Sequence, residues 1–119
     1  IIKGFNGTLI NNILFTQQTI KYLKKTSGNI INIGSIYGLV SPDPKIYFKY
    51  PINPLTYSVS KAGIIQYTKY AAVTLAKYGI RVNCISPGGI LDKQPKSFSH
   101  AFRNTQRQAD SRIDSQCSH

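Results

Sequence analysis

Tyr57 and Lys61 stand four residues apart at the front of an apolar-periodic stretch, LTYSVSKAGIIQYTKYAA. On a helix that spacing puts both side chains on one face. An ammonium beside a phenol favours the phenolate, so the pair has the parts needed to give or take a proton at a substrate oxygen. Composition alone weakens it as evidence, because 8 tyrosines and 11 lysines in 119 residues make one such match an expected accident. The plain alternative is an amphipathic helix with an exposed lysine. The neighbours must decide.

Two further groups can do chemistry. Ser35 closes the run NIINIG, where a hydroxyl can hydrogen-bond an oxygen on which charge develops. It can equally be a serine that ends a strand. Pro87, Gly88, Gly89 and Ile90 follow IRVNCIS. Paired glycines let backbone approach a flat ring closely, although a simple turn needs the same residues. His100, His119 and Cys117 have no recognisable ligand spacing, so no metal site is assigned.

The elements that must position these groups follow from periodicity. Leu9, Ile13, Thr16, Ile20 and Leu23 form a 3.6-residue stripe, which predicts a helix over Thr8 to Lys25 with a basic last turn before Gly28. Asn29 to Gly34 is short and β-branched between glycines, as a buried strand is. The next segment, to Pro54, carries four prolines with Tyr47, Phe48 and Tyr50, and reads as a loop. Leu55 to Tyr78 is helical again, with Gly79 placed for a left-handed close. Arg81 to Ile85 is a second strand. This order is the grammar of a parallel sheet with a crossover helix, and such sheets bind ligands beyond the carboxyl ends of their strands. Ser35 and the Pro87-Gly88 turn lie at that rim.

The bulk numbers set bounds. A hydrophobic content of 41% fits one small globular domain. The net charge of +11 arises from 15 basic residues against 4 Asp and no Glu. These lysines are scattered singly, with no dense run beyond Lys24 and Lys25, which argues against a nucleic-acid surface. Cys84 and Cys117 form no framework, which favours a reducing, cytoplasmic setting. No run of 18 apolar residues argues for a membrane span, and Ile1 reads as an internal residue of something longer.

Taken together, NIINIGSIYG, YSVSKAG and IRVNCISPGGI resemble, in order, the C-terminal half of the core of the short-chain dehydrogenase/reductase family. The likeness covers roughly residues 8–98. It implies an α/β fold with part of a Rossmann-like, doubly wound parallel sheet, and NAD or NADP as cofactor. It further implies hydride transfer to or from a hydroxyl or carbonyl of a small molecule, and homo-oligomeric assembly at full length. By the same resemblance Ser35, Tyr57 and Lys61 are catalytic, Tyr57 and Lys61 also meet the cofactor, and Pro87, Gly88, Gly89 and Ile90 close over nicotinamide. Asn83 would support that loop, and Cys84 reads as a buried strand residue.

Departures from the family pattern are informative. Asp92 stands where a threonine usually touches the carboxamide. Asn11 and Asn12 fit the spacing of the family's relay asparagine imperfectly and stay outside the catalytic set. From Ser35 to Tyr57 the spacing is 22 residues, longer than is common in the family. The extra loop would place Tyr47, Phe48 and Tyr50 at the mouth of a site, or form a surface insertion. The wording GSIYGLVSPDPKIY and NCISPGGILDKQP resembles bacterial flagellin-modification and surface-polysaccharide members, which points to a carbohydrate-derived substrate. The family's TGxxxGxG turn and NNAG block do not occur, so the chain alone is expected to be inactive. Residues 1–98 are expected to form the partial domain, and 99–119 a foreign or frameshifted polar tail. The alternative function is a non-catalytic interaction or polyanion-binding fragment.

Overall fold

The computed structural model describes residues 1–45, 47, 51–90 and 103. Strand β1, Asn29–Ile33, pairs in parallel with β2, Arg81–Ile85, in a register that sets Asn29 opposite Arg81 and Ile33 opposite Ile85. Because the strands finish together, their hydrogen bonding runs on into the loops. Gly34 N donates to Ile85 O at 2.8 Å, and Ile36 N donates to Pro87 O at 3.0 Å. The two rim segments are therefore stitched side by side.

The connection between the strands contains α3, Leu55–Leu75. It begins after Pro54, a residue that cannot donate into a preceding turn, and buries Ser60, Ile64, Thr68, Ala71 and Leu75 at helical spacing. A 3₁₀ turn, Ala76–Tyr78, follows, and Gly79 closes it with φ 69°, the left-handed conformation anticipated from glycine at that place. A Cβ there would also meet Ser27 Oγ at 2.9 Å, so a larger residue is excluded twice.

Before β1 the helical backbone comes in three pieces: α1, Ile2–Phe5, then a π-turn over Asn6–Ile10, then α2, Asn11–Leu23. The expected helix from Thr8 thus starts in π geometry. Leu9, on that turn, lies against Gly63 of α3, where a Cβ would come within 3.0 Å of Leu9 Cδ2. The absence of a side chain at Gly63 leaves room for Leu9 against α3. At the far end, Ser27 adopts φ 50°, and Gly28 N reaches back to Leu23 O at 3.1 Å. The left-handed step after this helix falls on a serine, one residue earlier than the glycine suggests.

Two cores result. Ala71, Leu75, Ile80 and Val82 pack with Ile20, Leu23, Ile30 and Tyr67 between the helices and the sheet. Burial of each large aliphatic there contributes about 1.5–3 kcal/mol. A buried polar pair crosses this layer: Asn32 Nδ2 donates to Thr68 Oγ1 at 2.9 Å, and that hydroxyl donates to Ile64 O at 2.8 Å. The second core, Ile36, Tyr37 and Tyr47 with Val40 and Tyr57, sits at the rim. β1 is buried on one face, and Ile31, Ile33 and Ile85 of the opposite face are exposed. Among the described residues no helix is long and apolar enough to cross a membrane. The expected tail, 99–119, lies outside the described residues apart from Arg103.

Candidate active site

Ser35 follows β1 in extended backbone, with φ −166° and ψ 155°, and is buried. Its Oγ accepts a hydrogen bond from Tyr37 N at 3.2 Å and so caps the 3₁₀ turn Ile36–Gly38. Gly38 brings this turn onto α3, where a Cβ would lie 2.7 Å from the Lys61 carbonyl carbon and 2.8 Å from Ala62 N. Only a residue without a side chain permits that approach. Ser35 is thereby anchored to the stretch of helix that carries Tyr57 and Lys61.

Tyr57, half-buried in the first turn of α3, packs against the rim core. Lys61, one turn on, donates from Nζ to Ile33 O at 2.8 Å, and its Nζ lies 5.7 Å from the centroid of the Tyr57 ring. An ammonium within about 6 Å of a phenol ring is within reach of a cation–π attraction. Asp43 is the single carboxylate side chain among the described residues, and its Oδ1 accepts from Lys45 N at 2.9 Å within its own loop. The rim therefore carries a cation and phenols.

On the second strand, Pro87 and Gly88 are half-buried while Gly89 and Ile90 are exposed. The Ile36–Pro87 hydrogen bond holds this segment beside Ser35. Asn83 is exposed, and Cys84, expected to be buried, is half-buried with its sulfur against the position of Gly34. Asn11 is exposed, while Asn12 Oδ1 is buried with no hydrogen-bond partner among the described residues. Asp92, Phe48, Tyr50, His100, Cys117 and His119 lie outside the described residues. Among the described residues, no three His, Cys, Asp or Glu side chains gather as metal ligands.

Tyr47 departs from its expected place at an open mouth. It is buried, its ring is tilted 55° to that of Tyr37 at 6.3 Å between centroids, and the two hydroxyls are 2.6 Å apart. Burial first, and then the hydrogen bond to Tyr47, push the Tyr37 phenol well above the ordinary range. Sequence reasoning passed over Tyr37. The available signal was its place two residues after Ser35 in a loop that must return to the same helix.

The family described as enoyl-(acyl carrier protein) reductase matches residues 8–116. Post-translational flagellin modification protein A of Campylobacter coli is 40% identical over 105 residues, covering 87% of this chain and 41% of that protein. L-fucose dehydrogenase of Rattus norvegicus is 38% identical over 92 residues, covering 74% of this chain and 31% of the enzyme. Among solved structures, a short-chain dehydrogenase from Leptospira borgpetersenii with bound NAD+ superimposes with a TM-score of 0.72 at 44% identity, covering 82% of this chain and 39% of that one. The chain spans about two fifths or less of the length of these relatives.

Proposed function

This chain belongs to the short-chain dehydrogenase/reductase family, and on that premise we infer that it supplies the proton-transfer side of an NAD(P)-dependent oxidoreductase. The substrate is a hydroxyl or carbonyl of a small, carbohydrate-derived molecule. The observation that supports this reading is Lys61, bonded to the end of β1 with its ammonium beside the Tyr57 ring, while Ser35 caps the turn that follows that strand at the carboxyl rim of a parallel sheet. Support for a sugar comes from relatives named for L-fucose oxidation and flagellin modification, and support for the cofactor from a relative solved with NAD+.

The residues fit a nicotinamide nucleotide. Lys61 spends one of its three ammonium protons on Ile33 O and keeps two for the ribose diol, while Pro87, Gly88, Gly89 and Ile90 offer a backbone-lined, partly exposed wall for the ring. Bound there, the cofactor supplies or accepts the hydride. Tyr57 holds the proton that the substrate oxygen gains or loses, and the Lys61 ammonium stands beside its ring. Ser35 Oγ, which accepts from Tyr37 N, retains its own proton to donate to that oxygen as charge develops. Exposed apolar side chains on α2 (Leu14, Phe15, Tyr22) and α3 (Val59, Tyr70, Val73) support pairing with a second copy in the whole protein.

The test is a chimera in which the matching part of this chain replaces its counterpart in the Leptospira dehydrogenase. With L-fucose and related sugars the chimera should reduce NAD+ or NADP+. Tyr57→Phe should lower kcat by ~10²–10⁴-fold. Equal turnover of the two would refute the assignment.

A further inference from the structure

Tyr57 occupies the first turn of α3, where its N–H donates to the Pro54 carbonyl at 2.9 Å and a helix frays most readily. Leu55 beside it is exposed and gives the turn little purchase. What holds the ring is the rim core on its other side. That core has a fixed part and an added part. Tyr37 is fixed: its N–H is bonded to Ser35 Oγ, Gly38 N donates to Ser35 O at 2.9 Å, and the whole turn is seated on the backbone of α3 at Lys61. Tyr47 belongs to the long proline-rich loop and reaches the fixed part through its hydroxyl.

We propose that the Tyr37–Tyr47 hydroxyl pair is a latch that sets the orientation of the Tyr57 ring, which makes Tyr47 a positioning residue for proton transfer at Tyr57. The latch rests on the catalytic reading of Tyr57 given above. A separation of 2.6 Å is short for a hydrogen bond between hydroxyls, so the two rings are held tightly to one another. The bond is also buried, where it is stronger than in water. Burial holds the Tyr37 hydroxyl protonated, so it keeps a proton for this bond. The loop length that separates Ser35 from Tyr57 thereby returns to the site as a support for its phenol.

The experiment is aromatic and methyl NMR of the 119-residue chain labelled in tyrosine, isoleucine and valine, with Tyr57→Phe identifying the Tyr57 peaks. Tyr37→Phe and Tyr47→Phe keep both rings and remove the bond between the hydroxyls. Each should shift the Tyr57 peaks, and the double variant should shift them no further than either single one. Tyr70→Phe, on the exposed face of α3, should leave them in place, and the methyl peaks of Ile80 and Val82 in the other core should be unmoved in every variant. Unshifted Tyr57 peaks in the single variants, additive shifts in the double one, or collapse of the Ile80 and Val82 peaks would each overturn the latch. Turnover of Tyr57→Phe in the chimera bears on the catalytic reading alone, so the two can fail separately.

Discussion

The ammonium of Lys61 is bonded to the carbonyl of Ile33, the last residue of β1, at 2.8 Å. One side chain thus ties α3 to the strand end that presents Ser35, and its position relative to Tyr57 is set by the sheet as well as by the helix. Lys61→Met keeps the aliphatic stem and removes the charge and its bond. In the chimera it should lower kcat by at least ~10²-fold and raise KM for the nicotinamide nucleotide, as the proposed double role of this group in proton transfer and ribose contact requires. Initial rates at varied cofactor concentration check this. A change in KM alone would remove Lys61 from the chemistry.

Gly38 offers a test with a purely steric cause. Gly38→Ala drives a methyl to 2.7 Å from the Lys61 backbone, where no flexible side chain can move aside. The turn must lift from α3, at a cost of about 1–3 kcal/mol. Urea unfolding of the chain should show that loss, and the chimera carrying Gly38→Ala should lose kcat as well, since Ser35 moves with the turn.

How much of this was legible in residues alone depends on whether the cause was local. The parallel pairing, the strand Arg81–Ile85 and the left-handed Gly79 follow from periodicity and from one residue type, and the structure shows all three. Leu9, on the π-turn at Asn6–Ile10, meets Gly63 more than fifty positions away, and no local pattern encodes that contact. Tyr47 looked like an exposed aromatic because prolines surround it, yet its partner Tyr37 lies across the loop. The Lys61–Ile33 bond likewise exists only once α3 crosses the sheet. The candidate site residues were chosen by type and order; the contacts of Lys61 and Tyr47 could not be read that way.

The buried polar link between Asn32 and Thr68 leads to an asymmetric expectation. Thr68 Oγ1 both accepts from Asn32 and donates to Ile64 O, so Thr68→Val strips Asn32 Nδ2 of its partner inside the core. A buried amide left without its partner costs about 1–3 kcal/mol. Thr68→Val combined with Asn32→Val removes both polar groups and should recover part of that loss. Urea midpoints for the three variants would show it, and a double variant as unstable as the sum of the singles would contradict the pairing.

Alkaline titration should separate the tyrosines. Tyr78, at the surface, is lowered from the ordinary phenol value by the hydrogen bond and charge of Lys24, whose Nζ sits 3.8 Å above its ring, with Lys77 adding to the effect. Tyr37 is displaced the other way, by burial first and then by Tyr47. Followed by tyrosinate absorbance, Tyr78→Phe should therefore delete the earliest component and Tyr37→Phe the latest. The sign for stability follows from Tyr37. Its folded-state value lies above the unfolded one, so its contribution is complete below the ordinary phenol range near pH ~10 and drains away as pH rises through the higher folded value. The folded chain should lose stability in alkali as the unfolded state ionises first, and Tyr37→Phe should flatten that decline. A decline equally steep in Tyr37→Phe and in the parent chain would show that Tyr37 is not the group being held protonated.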